Sequence, residues 1–323
     1  MYEKIIDLDR RGLNKDKDNQ FTSEEYIKCG KFCYRYIHNW AKRPQDLYGK
    51  RFVCITCDNN GYIYATTNAQ KYPVAVFDRN GNFVKYLTLD IELGNIHGIY
   101  VDSKMDIWIT STSCHVAVKI DQIGRIIKVL GQYKHPSNTG INETCAETRL
   151  RWHTIKRLGE PFNGPTRIVE ANEGDLFASD GYGNVAVHCF DNKGNYINSW
   201  GGIGTDLGKF AIPHSIWVDN NNRVWVPDSE LDRVQVFSTE GVLLKCINDL
   251  LYPMDVVSNN NNVFIAEREG RISIYDMDYK LISQIGYYAS PYVAHSLSVD
   301  NFGNLYFSSL LTELGICKLE LCE

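Results

Sequence analysis

The chain of 323 residues lacks the features that would place it in a membrane, on nucleic acid or among disulfide-built folds. No apolar run approaches the roughly 20 residues needed to cross a bilayer. The first residues, "MYEKIIDLDRRGLNKDKDNQ", are polar and contain no apolar leader segment, so a cytoplasmic protein is the expectation. Basic excess is missing too: 34 Lys and Arg stand against 39 Asp and Glu, a net charge of -5, which disfavours a nucleic-acid partner. The ten cysteines, Cys29 to Cys322, are scattered without a framework spacing, and reduced thiols are expected. "CITC" (Cys54, Cys57) has no second pair at zinc-ribbon spacing and falls inside an apparent strand, so it is not read as a metal site.

What the sequence does have is repetition at a period of about 40–50 residues, the spacing of propeller blades. Six copies superimpose: "FVCITCDNNGYIYATT" (52–67), "IHGIYVDSKMDIWITS" (96–111), "PTRIVEANEGDLFASD" (165–180), "PHSIWVDNNNRVWVPD" (213–228), "PMDVVSNNNNVFIAE" (253–267) and "AHSLSVDNFGNLYFSS" (294–309). Each is a set of short alternating strands broken by Asn, Gly and Asp turns, which reads as a four-stranded antiparallel blade. The fold expected is all-β: a six-bladed β-propeller over residues 41–323, with a short helical N-terminal extension over 1–40. "TSEEYIKCGK" (22–31) has a capping-box start. "FCYRYIHNW" (32–40) alternates like a strand and is expected to close the last blade, because an open edge is a liability. Residues 132–161 interrupt the period as an insertion long enough to act as a lid.

Aligned on the repeat, the start of the innermost strand is occupied by Val53, His97, Thr166, His214, Met254 and His295. Three of the eight histidines fall at this one position, in alternate blades, each five residues before the Asp of a "VD" pair (Asp102, Asp219, Asp300). Inner strands line the central channel, so the three imidazoles should converge on the axis. Three neutral imidazoles with an open position are what catalytic zinc uses, and zinc is the expected metal, with a structural Ca2+ as a second candidate. His38, His115, His135, His153 and His188 are read as structural.

The loops that follow each second strand share the face of the ring that carries the histidines. They contribute Tyr182, Asp180, Asp228, Ser229, Glu267 and Arg268 as further candidates, with Met254 at the histidine level itself. Tyr182 lies between two glycines, and a phenol beside a dication has its pKa pulled down from about 10, which suits a general base. Asp180 and Asp228 also fit plain turn formation.

The repeats resemble NHL repeats. "TIKRLGEPFNGPTRIV", "FASDGYGNVAVHCF", "INSWG" and "GKFAIPHSIWVD" are similar to peptidyl-α-hydroxyglycine α-amidating lyase and its bacterial relatives, a likeness that covers most of residues 38–310 and is most specific over 154–237. The resemblance implies a six-bladed propeller whose zinc is held by histidines matching His97, His214 and His295. It also implies a tyrosine base, matching Tyr182, that takes the hydroxyl proton of a carbinolamide before its C–N bond breaks. Two substrate-binding arginines of that family have no counterpart: "ATTNAQKYP" contains none, and Ser229 stands where the second would be. Arg268 is the candidate replacement. The function expected is a zinc-dependent lyase acting on a hemiaminal or α-hydroxylated amide, a small molecule or short peptide-like substrate. A zinc hydrolase and a non-catalytic NHL binding or scaffold propeller are the alternatives. Sugar-lactonase chemistry fits less well, because such sites are usually rich in carboxylates and this one is built from histidine.

Overall fold

The computed structural model describes residues 20–21, 26–37, 39–69, 71–145, 148–286, 293–309 and 315–322. Six antiparallel sheets form six blades around an axis. Blades 1 to 3 begin with the strands Phe52–Cys57, Ile96–Val101 and Pro165–Glu170. Blades 4 to 6 begin with Trp217–Val218, Pro253–Ser258 and Ser296–Val299. The innermost strand of blade 1 packs against those of blades 2 and 6, so the ring is closed.

Local chemistry explains the strands. Strand interiors alternate Val, Ile, Phe and Trp, and the second and third strands of every blade are buried because each is covered by a neighbouring blade. At the rim away from the histidines, an Asp side chain builds the turn by accepting two backbone N–H groups ahead of it. Asp219 Oδ1 takes those of Asn221 and Arg223 at 2.9 and 3.0 Å, and Asp102 and Asp300 do the same in their blades. The "VD" aspartates therefore mark where the inner strand ends.

At the other end of the inner strands, the pairing with the second strand shifts register between Phe52 and Ile55, Ile96 and Ile99, Pro165 and Arg167, and Pro253 and Asp255. A bulge of this kind turns two successive side chains toward one side. The channel is consequently lined by two stacked tiers: the aligned positions, and the residues immediately after them.

The last blade is completed by the opposite end of the chain. Phe32–Ile37 pairs with Ile316–Leu321, Leu319 opposite Tyr36, and Tyr26–Cys29 adds a further strand through a two-residue turn at Gly30, whose φ is +54°. The helical extension expected over 1–40 is corrected at Tyr26–Cys29, which is a strand; residues 1–19, 22–25 and His38 lie outside the described residues. Ile27 and Cys29 alternate inward against blade 5, a burial period that a helix cannot supply. Among the described residues no helix is long and apolar enough to cross a membrane, and none of the ten cysteines is joined in a disulfide.

Removing residues 1–37 would expose Ile316–Leu321 as an unpaired edge and strip Tyr34 and Tyr36 from the core. The expected loss is about 3 kcal/mol or more, with increased aggregation, read from urea unfolding. An unchanged midpoint would show that the seam does not carry the ring.

Candidate metal centre and cleft

His97 sits in the inner strand of blade 2, His295 immediately precedes that of blade 6, and His214 leads into that of blade 4 through Ser215 and Ile216. Their rings meet on the axis as a near-equilateral triangle, with centroids 4.8, 5.0 and 5.2 Å apart. One ligand-capable nitrogen from each lies within 4.8 Å of the others. Among the described residues this is the one group of three or more His, Cys, Asp or Glu side chains able to hold a metal ion, and no comparable set of carboxylates supports a structural Ca2+.

The rings are held in a repeating way. His97 Nδ1 pairs with the Thr166 carbonyl at 2.9 Å, His214 Nδ1 with the Met254 carbonyl at 2.7 Å, and His295 Nδ1 with the Val53 carbonyl at 2.8 Å. Each acceptor is the aligned residue of the next blade. A carbonyl can only accept, so Nδ1 carries the hydrogen and every Nε2 lone pair is directed inward. That is the tautomer a metal requires, with the other ring nitrogen fixed by an outer partner. Met254, expected as a substrate contact, is thus also the residue that orients His214.

Burial disfavours the imidazolium form of all three. His97 is pushed down to about 3, by burial first and then by repulsion from His295. His214 is held well below its ordinary value by burial and by the other two histidines, and His295 is lowered chiefly by burial. The donor set fits a borderline cation such as zinc: three neutral nitrogens, preformed and already stripped of protons.

Tyr182 reaches the same point from the loop after the second strand of blade 3. Its hydroxyl lies 3.2 Å from His97 Nε2 and 3.0 Å from His214 Nε2. The flanking glycines are explained by close backbone approach. A Cβ on Gly181 would stand 2.4 Å from the Pro213 carbonyl oxygen, and one on Gly183 would stand 2.1 Å from that of Asn163. The insertion supports this loop, with Thr139 Oγ1 donating to the Gly183 carbonyl at 2.7 Å. Tyr182 is 37% exposed through its ring, while its hydroxyl is enclosed by the imidazoles. Burial raises the phenol pKa above its usual value, and Arg268 partly opposes the rise. The lowering expected from sequence is therefore not supplied by the protein's own groups.

A cleft of about 220 Å³ opens above the triad, lined by Tyr182, His214, Met254, Arg268 and His295 together with Ile212, Tyr252 and Arg149. Arg268 belongs here, as expected. Arg149 and Tyr252 were not foreseen. Arg149 comes from the insertion, in the 3-10 segment Thr148–Thr154, and forms a bidentate pair with Glu230 at 2.6 and 3.1 Å. Two guanidinium groups approach the Tyr252 ring, Arg149 at 4.5 Å and Arg268 at 5.2 Å, and its hydroxyl donates to Glu230. Arg149 is neutralised by Glu230, whereas Arg268 has no ion pair with any described carboxylate. A larger cavity of about 460 Å³, between blades 1 and 2, contains none of these residues.

Four expected substrate contacts are not brought to the cleft. Asp180, Asp228 and Glu267 each end the second strand of a blade, fully buried, and are taken up by the following strand. Asp180 bonds His188 at 3.1 Å and the Asn163 backbone N–H at 2.7 Å. Asp228 pairs with Arg233 and accepts the N–H groups of Ala211 and Ile212, and burial still raises its carboxyl to about 6. Glu267 binds Arg271, Ser273 and the Leu251 N–H. Ser229 donates to the Pro253 carbonyl. The polar rim that sequence suggests is in fact a set of buried clamps.

No family model matches the chain. Human NHL repeat-containing protein 3 is 27% identical over 231 residues, 68% of this chain and 61% of that protein. A probable peptidyl-α-hydroxyglycine α-amidating lyase of Caenorhabditis elegans is 30% identical over 146 residues, 44% of this chain and 36% of that protein. The chain is a six-bladed propeller similar in sequence to an NHL repeat-containing protein and to amidating lyases. It spans about three-fifths of the first of these proteins and about a third of the second. A solved streptogramin B lyase has the same fold, with a TM-score of 0.63, 16% identity and coverage of 90% of this chain and 98% of that one.

Because His97 stays neutral down to about pH 3, and His214 and His295 are also lowered, protons compete weakly for their nitrogens. Metal bound to the protein is expected to remain through dialysis at pH 5 and to be lost toward pH 3. Loss with a midpoint near pH 6.5, measured as metal per chain, would contradict the depressed values. The same shift has a sign for stability. Unfolded histidine binds a proton near pH 6.5 and the folded one does not, so metal-free protein loses stability as pH falls from 6.5 toward about 3.

Proposed function

We propose that the protein is a metal-dependent lyase that cleaves the C–N bond of an α-hydroxylated amide carrying an anionic group, with His97, His214 and His295 as zinc ligands. The observation that carries this reading is the Tyr182 hydroxyl 3.0 and 3.2 Å from two of the three inward-facing Nε2 atoms, beside a cleft lined by Arg268, which has no ion pair among the described residues. Amidating lyases among the relatives support it.

His97, His214 and His295 would hold a divalent cation, whose positive charge would lower the Tyr182 pKa and favour charge developing on a neighbouring oxygen. Tyr182 then accepts the proton of the substrate hydroxyl. As the carbon–oxygen double bond forms, the C–N bond breaks, and the proton passes to the departing nitrogen. The products are a primary amide and an aldehyde, with no water consumed. Arg268 pairs with the substrate's anionic group, doing from blade 5 what the related lyases do with arginines this chain lacks. Ile212, Met254 and the Tyr252 ring exclude water from the apolar part of the substrate.

N-acyl-α-hydroxyglycine is the probe, with amide and aldehyde quantified together. Equimolar products are expected. Tyr182→Phe should lower kcat by about 10²–10⁴-fold without loss of metal. Arg268→Ala should raise KM for the carboxylate substrate by about 10–100-fold and spare an uncharged analogue. Release of a carboxylic acid instead of an amide would identify a hydrolase. Metal-loaded protein inert toward charged and uncharged hydroxyamides would refute the proposal.

A further inference from the structure

Immediately beneath the histidines lies the second tier of the channel: Cys54, Gly98, Arg167, Ser215, Asp255 and Ser296, each one residue after an aligned position. Asp255 and Arg167 are 2% exposed and form an ion pair across the channel between blades 5 and 3, Oδ1 to Nη1. Asp255 Oδ1 also accepts the Ser215 hydroxyl at 2.6 Å, and Oδ2 accepts the Ser296 hydroxyl and the Leu297 N–H, both at 2.8 Å. Ser296 in turn accepts the Ile55 N–H of blade 1 at 3.1 Å. One carboxylate therefore links blades 3, 4, 5 and 6 directly and blade 1 through Ser296.

The connections to the triad are each one residue long. Ser215 follows His214, and Ser296 follows His295. Arg167 follows Thr166 and Asp255 follows Met254, whose carbonyls hold His97 and His214. Gly98 follows His97 and completes the tier by being absent as a side chain. A Cβ there would stand 2.4 Å from the Thr166 oxygen and 2.9 Å from the Arg167 Cα. The pair is not needed as a counterweight to surface charge, since both groups are sealed from water. A buried pair of this kind is costly to desolvate and adds little stability over apolar residues of the same volume. Its geometric effect is specific, because a short, multiply bonded carboxylate fixes the separation of strands on opposite sides of the channel.

We infer that Asp255 and Arg167 are positioning residues for the three-histidine centre, setting the spacing of its nitrogens through Ser215, Ser296 and the carbonyls of Thr166 and Met254. The inference rests on the metal-binding reading of the triad. Its test measures metal affinity by chelator competition and the visible spectrum of the Co2+-substituted protein, with thermal unfolding in parallel. The Ser215→Ala/Ser296→Ala double variant keeps the ion pair and cuts its links to two histidine strands. Arg167→Met/Asp255→Leu replaces the pair with apolar volume and guards against misfolding from an unpaired buried charge. Both are expected to remain folded, to bind metal about 10–100-fold more weakly and to show an altered Co2+ spectrum. Folded variants with wild-type affinity and spectrum, whatever their melting temperature, would overturn the inference and leave the centre intact. A wild-type chain that takes up no metal would instead refute the centre itself and remove the inference with it.

Discussion

The structure depends on one repeated hydrogen bond, the Nδ1–H of a channel histidine to the backbone carbonyl at the aligned position of the next blade. A six-fold repeat with histidine in alternate blades gives three donors and three acceptors, so the ring satisfies itself without any added group. The same bond fixes the tautomer, aims the lone pairs at the axis, and holds neighbouring blades in register. Burial then keeps the rings neutral, since three imidazolium ions with centroids about 5 Å apart in an enclosed channel would repel one another.

Above that tier, two guanidinium groups from different parts of the chain reach the cleft. The insertion between blades 2 and 3 brings Arg149 to the cleft, where Glu230 neutralises it and Tyr252 stacks on it. Arg268, 5.2 Å from the same ring, has no ion pair with any described carboxylate. The insertion thus walls the cleft and braces the Tyr182 loop through Thr139, while the charge available to a substrate comes from the blade.

The ring and the triad were legible in the sequence because repetition turns position into geometry: once six copies are aligned, a residue's place in one blade fixes its place around the axis. Tyr182 was legible through its two glycines. The rim carboxylates misled because the alignment places Asp180, Asp228 and Glu267 at the cleft's level but not on its surface. A partner lay close in sequence for each, with Arg233 five residues and Arg271 four residues onward and His188 eight onward. Such spacing across a tight hairpin signals a clamp. Arg149 had no template, lying in the insertion, and Tyr252 precedes the repeat unit. The second tier was written in the residues after each aligned position, yet only the bulge makes both tiers face the channel. Tyr26–Cys29 forms a strand where a helix was expected, because a capping-box match says nothing of the burial that a neighbouring blade imposes on Ile27 and Cys29.

The central claim is that three imidazoles, and no other protein side chains, bind one metal on the axis. X-ray absorption at the zinc edge on protein purified without added metal tests it most directly. The account predicts one zinc per chain with three imidazole nitrogens and the remaining contact from oxygen. A spectrum showing sulfur ligands, fewer than three imidazoles, or no bound metal after zinc reconstitution would contradict it.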